Sequence, residues 1–149
     1  LEILRADGVE AAVLVPNCPV CHQSLALVAR HLEANGIATV IMGAAKDVIE
    51  HCGVPRFLFS DFPLGSAAGR PYDPPSYDAT LGLALDMLES APAPRTTVQN
   101  PLRWPGPPEW RLDYMNVARL DPAERARLRA ENDAIKARAQ SVRDAALKP

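Results

Sequence analysis

Three short apolar runs, "VEAAVLV" (9–15), "IATVIM" (37–42) and "RFLFS" (56–60), are separated by stretches patterned as helices. Runs of this length with turn residues beside them read as buried strands. After the first run, "SLALVARHLEANG" spaces Leu25, Val28, Ala29 and Leu32 three and four apart, which predicts one apolar helix face closed by Gly36. "KDVIEHCG" (46–53) predicts a short helix stopped by Gly53. Strands alternating with helices through short loops imply βαβ units, and the handedness rule expects right-handed crossovers between them. The expected fold class is therefore α/β, with a short parallel sheet and flanking helices of flavodoxin or Rossmann type. Hydrophobic residues make up 48% of the 149, enough for a true core.

The later chain changes character. "DFPLGSAAGRPYDPPS" (61–76) is expected as a loop, and "YDATLGLALDMLES" (77–90) as a helix that packs on the sheet through Leu81, Ala84, Leu85 and Leu88. Residues 91–120 are rich in proline and hold both tryptophans without periodicity, which suggests an extended arm. From 121 to 149 a helix is expected. Asp121 can cap it, Pro122 suits its first position and Glu124 has capping-box spacing. Leu128, Ile135 and Val142 recur every seventh residue, with Ala139 and Ala146 four beyond the last two. That narrow stripe fits a surface helix on its own domain, or an arm and helix that embrace a partner subunit or a second copy. The expected domains are 1–90, 91–120 and 121–149.

A formal net charge of −2 argues against a nucleic-acid surface. No apolar run nears the roughly 20 residues needed to cross a bilayer. "LEILRADG" has neither a basic n-region nor an apolar h-region, so no signal peptide is expected, and a start at Leu1 suggests a missing N-terminal piece. Three cysteines are too few for a disulfide-stapled scaffold, which favours a reducing, cytoplasmic compartment.

Two of those cysteines stand in "VPNCPVCHQS" (15–24), directly after the first predicted strand. Pro19 suits a first helical position, so Cys18 is the expected N-cap and Cys21 the third helical residue. Sulfurs three apart in a first turn can bridge. The unpaired N–H groups and positive dipole end there stabilise a thiolate, making Cys18 the candidate nucleophile and Cys21 the resolving thiol. Two alternatives stay open. One is part of a metal site, for which Cys52, His22, His31 and His51 remain as donors without metal-site spacing, His51-Cys52 being the pair that could serve. The other is a pair of inert buried thiols, the role expected of Cys52 itself. His22 could steady a thiolate or move a proton, whereas His31 falls on a polar helix face. At the "DFPLG" loop, Asp61 could act as an acid or orient an amine, and Arg56 could clamp a carboxylate. Equally, Asp61 could serve the turn and Arg56 the solvent. No cofactor is expected.

The order "NCPVC", helix, "NGIATVIM", "CGVPRFLFSDFPLG" resembles the selenoprotein B component of glycine, sarcosine, betaine and D-proline reductases, over residues 7 to 90. In that family a strand is followed by a selenocysteine-x-x-Cys-x-x-Cys motif, a "V-G-x-x-R" turn and a "P-L-G" loop. Cys18 takes the selenocysteine position, Cys21 that of the next cysteine, and Ser24 that of the last. Gly53, Arg56, Pro63, Leu64 and Gly65 match the later turn and loop, while Phe62 stands in place of a histidine. The resemblance implies a reductive step in which the residue at position 18 attacks a small substrate activated on a pyruvoyl group of another subunit. This chain has cysteine instead and one thiol fewer, so the resemblance implies thiol-based reduction of a small molecule, with a thioredoxin-type donor to restore the dithiol. A non-catalytic or metal-binding subunit is the alternative.

Overall fold

Four strands, β1 (Ala11–Leu14), β2 (Ala38–Gly43), β3 (Arg56–Phe59) and β4 (Thr96–Gln99), pair in chain order as one parallel sheet. The computed structural model describes residues 1–113 and 117–146; the last three residues of the expected terminal helix, and 114–116 of the expected arm, lie outside the described residues. β2 is buried along five of its six residues, as a central strand covered on both faces must be. Helices α2 (Pro19–Glu33), α3 (Lys46–Cys52) and α4 (Pro74–Ser90) make the crossovers, and a five-residue α1 (Glu2–Ala6) precedes the sheet.

The two faces have separate cores. Ala26 and Ala29 of α2 and Ile49 of α3 pack with Ile41, Val54 and Phe57. Ala84 and Met87 of α4 pack with Val40, Met42 and Leu58 on the opposite face, as period-2 alternation requires. The two crossovers between the strands read from sequence, through α2 and α3, share one face and hence one hand; the third, into β4, departs from them. Strand order keeps advancing in one direction, yet α4 covers the face that α2 and α3 leave. The last crossover therefore has the opposite hand to the first two. The segment 60–73 is long enough to carry the chain across to that face.

α3 ends as expected at Gly53, whose left-handed φ of 71° serves a C-cap. Arg95 reinforces that end by donating from Nη2 to the Glu50 carbonyl at 3.3 Å. Two helices keep part of the apolar face that the spacing indicates and turn it: Ala29 and Leu32 of α2 and Ala84 of α4 are buried as expected, and Leu25 and Leu88 are half-buried. In α2 the buried residues are His22, Ala26, Ala29 and Leu32, while Val28 is exposed. In α4 they are Ser76, Thr80, Ala84 and Met87, and Leu81 and Leu85 face outward.

The cause in α4 is a buried polar knot. Asn100 donates from Nδ2 to Ser60 Oγ (3.1 Å) and to Thr80 Oγ1 (3.0 Å) and accepts from the Leu102 N–H at 3.0 Å. Ser60 in turn donates to the Ala67 carbonyl, and Thr80 to that of Ser76. One side chain thus ties the loop after β3, the helix α4 and the turn after β4. Asn100→Ala would orphan several buried groups and leave a cavity. Unfolding free energy is expected to fall by about 2–4 kcal/mol, measurable by urea denaturation; a loss below about 1 kcal/mol would show that water replaces these bonds.

β4 lies within the segment read from sequence as an extended arm, and the compact unit containing the sheet runs Leu1–Gly106. Its pairing continues at Asn100, whose N–H donates to the Phe59 carbonyl at 2.8 Å. Trp104 packs on Phe62 with ring centroids 5.5 Å apart.

The second unit, Pro107–Pro149, holds a single turn α5 (Trp110–Asp113), a 3₁₀ turn (Val117–Arg119) and the long α6 (Pro122–Ala146). Asp121 caps α6 through Oδ1, which accepts from Ala123 N (2.7 Å) and Glu124 N (3.1 Å). Glu124 pairs with Arg127, whose guanidinium holds the Glu124 carboxyl below its ordinary range by hydrogen bond and charge.

Candidate redox site

Cys18 lies at the carboxyl edge of the sheet, between β1 and α2. Its extended backbone (φ −123°, ψ 166°) makes it the N-cap, with Pro19 in the first helical position. The sulfur of Cys18 accepts the Cys21 N–H at 3.1 Å, doing for the helix what a serine hydroxyl does at other caps. The two cysteines pair as a disulfide with Cα atoms 5.0 Å apart. Both are half-buried, and Val20 between them is 69% exposed. No acidic residue stands in the first turn of α2 to oppose a thiolate. After reduction, the cap N–H and the aligned peptide dipoles of a 15-residue helix would stabilise negative charge on Cys18.

His22 is fully buried behind this turn. Its Nε2 lies 3.0 Å from the Ala44 nitrogen and 3.2 Å from that of Ala45 and accepts both N–H groups. The ring proton therefore belongs on Nδ1, which lies 2.7 Å from the Cys18 carbonyl and donates to it. The imidazole fastens the cap of α2 to the loop after β2. Gly43 permits this approach, since a Cβ there would stand 3.1 Å from His22 Cδ2 and 3.0 Å from the Phe57 ring. Gly43 then accepts from the Ser60 N–H at 2.9 Å, and Ser60 meets Asn100. Hydrogen bonds thus run along this edge from the cap of α2, past the ends of β2 and β3, to the end of β4.

The other candidates fall at different places. Ser24 is exposed, one turn beyond Cys21 on α2. Asp61 is half-buried in the loop after β3, on the Cys18 edge but two strands away, about 10 Å by strand spacing. Arg56 begins β3 at the opposite edge. Its Nη1 donates to Glu33 Oε1 at 2.8 Å, and that carboxylate also accepts from Thr39 N and Oγ1. Glu33 ends α2, roughly 22 Å along the helix from Cys18 at 1.5 Å per residue. Arg56 thus serves an internal carboxylate far from the sulfurs. Sequence reasoning missed the holding role of His22. The signal was its place one residue past Cys21, on the same face as Ala26 and Ala29.

Between α2 and α3 lies an open groove of about 560 Å³, walled by Pro19, Val20 and Gln23 of α2 and by Asp47, Val48, His51 and Cys52 of α3; neither Cys18 nor Cys21 lines it. Cys52 is a free thiol. Among the described residues, no group of three or more His, Cys, Asp or Glu side chains is placed to hold a metal. Nor is any described helix long and apolar enough to cross a membrane.

Fold and site together define a parallel α/β protein with a Cys-x-x-Cys disulfide at the cap of its first crossover helix. The chain is 32% identical, over 101 residues, to D-proline reductase subunit gamma of Acetoanaerobium sticklandii. The match covers 68% of this chain but only 42% of that protein's length. It supports a relation to the proline reductases, coarser than the selenoprotein B component that the motif order resembles. No family model and no solved structure matches the chain.

Proposed function

We propose that this chain is a thiol-based reductase of a small substrate, with Cys18 as nucleophile and Cys21 as resolving thiol. The observation that carries this reading is Cys18 itself, a half-buried residue whose sulfur caps a helix and pairs with Cys21. The Cys18 thiolate attacks an electrophilic centre of the substrate, and the leaving group departs with the bonding electron pair and takes up a proton. The Cys21 thiolate then attacks Cys18 Sγ. The bond between Cys18 and the substrate breaks, and the reduced product leaves with that electron pair and a proton. The disulfide is reduced again by a thioredoxin-type dithiol, which becomes a disulfide in its turn. A reducing, cytoplasmic compartment suits this cycle.

The similarity to a subunit of a D-proline reductase supports an amino acid or its derivative as substrate, and action beside partner subunits. Asp61 and Ser24, on the Cys18 side of the sheet, are the proposed substrate-facing residues. His22 acts by holding the cap, and Arg56 plays no part in this reading.

The test is equilibration of the full chain in thiol–disulfide buffers, followed by alkylation and mass measurement. A single two-electron transition confined to Cys18 and Cys21 is expected, with Cys52 alkylated at every potential. Bound metal in stoichiometric amount, or independent alkylation of all three thiols under oxidising buffers, would favour a metal-binding or inert pair instead.

A further inference from the structure

The apolar stripe of α6 is unusually open. Leu128 is 39% exposed, Ile135 67% and Val142 62%, and no residue of the helix is buried. Their seven-residue spacing, with Asn132, Ala139 and Ala146 alternating between and beyond them, gives a four–three repeat over three heptads. We propose that α6 pairs with α6 of a second copy as a parallel, in-register two-stranded coiled coil.

Charge argues for the second copy and for the parallel direction. One flank of the seam carries Arg129, Lys136 and Arg143; the other carries Glu124, Glu131 and Arg138. A parallel pair sets each flank against the opposite flank of its mate, five residues on. Glu124 then meets Arg129 of the second copy, and Glu131 meets its Lys136; only Arg138 faces a like charge, Arg143. An antiparallel pair would instead lay the basic flank along itself at every heptad. Asn132 adds register, because a lone amide in a seam finds its partner only when two copies align. The small Ala139 and Ala146 let the axes approach where the long side chains alternate. Within one chain, Arg127 already holds both Glu124 and Glu131. Association must share those carboxylates, so it is expected to weaken as salt rises.

Sedimentation equilibrium of the full chain across a concentration series tests it. A reversible dimer is expected, with Ile135→Asp raising the dissociation constant at least about tenfold while far-UV circular dichroism stays close to that of the parent. Lys136→Glu should weaken the dimer by placing carboxylates opposite Glu131. The double variant Glu131→Lys/Lys136→Glu should restore it. A chain that stays monomeric throughout, or a dimer indifferent to Ile135→Asp, would overturn the proposal. A dimer tightened by Lys136→Glu alone would overturn it too, since only antiparallel basic flanks gain from that change.

Discussion

Cys18→Ser is expected to lower reduction of a symmetrical aryl disulfide at least roughly 10³-fold, the scale on which loss of a nucleophile acts. A serine hydroxyl can replace the sulfur as helix cap, because it accepts the same Cys21 N–H. The fold should therefore survive while the nucleophile is lost. Cys21→Ser gives the complementary result. Cys18 still attacks the aryl disulfide and expels one aryl thiolate, but nothing resolves the mixed disulfide, so a stable one-to-one adduct on Cys18 should accumulate. Full turnover by both variants, or an adduct on Cys52 instead, would contradict the division of roles between the two thiols.

The second large effect is expected at His22. His22→Ala should reduce unfolding free energy by about 3 kcal/mol, read by chemical denaturation of the reduced protein. Part of that cost is a cavity against Phe57 and Gly43, and part is the loss of an acceptor for two backbone N–H groups. Conservative variants divide the effect. Asn keeps a donor for the Cys18 carbonyl, whereas Gln can reach toward Ala44 and Ala45. Gln should recover more stability, because the Cys18 carbonyl already accepts the His22 backbone N–H at 3.0 Å. The loop N–H groups have no such second partner among the hydrogen bonds described above. A cost below about 1 kcal/mol for His22→Ala would show that the imidazole fills space without fastening anything.

The strand–helix alternation and the cap at Cys18 were legible because both depend on local sequence. Pro19 after a cysteine at the end of an apolar run specifies a helix start whatever lies further away. The inward side of α4 was legible only in part, through Ala84 and Leu88. Leu81 and Leu85 form the more apolar face, yet Thr80 and Ser76 turn inward to join a network whose centre, Asn100, lies 20 residues on from Thr80. A single buried amide with several partners outweighs two leucines that can remain half-exposed. β4 escaped notice for a similar reason. "TTVQ" is short and flanked by prolines, and its pairing is set by the register of β3 rather than by any apolar run of its own. Arg56 shows the limit for single residues. Its type and the loop nearby suggested a carboxylate clamp, and it does clamp one, but that carboxylate belongs to Glu33 at the far end of α2.

Because the cap of α2 carries the chemical argument, the rate at which reduced Cys18 is alkylated as pH rises probes it most directly. A cap sulfur fed by the Cys21 N–H and the helix dipole should react half-maximally below the ordinary thiol value of roughly 8.5, and faster than Cys52 at neutral pH. A midpoint at or above that value, with Cys18 no more reactive than Cys52, would contradict the nucleophile assigned here.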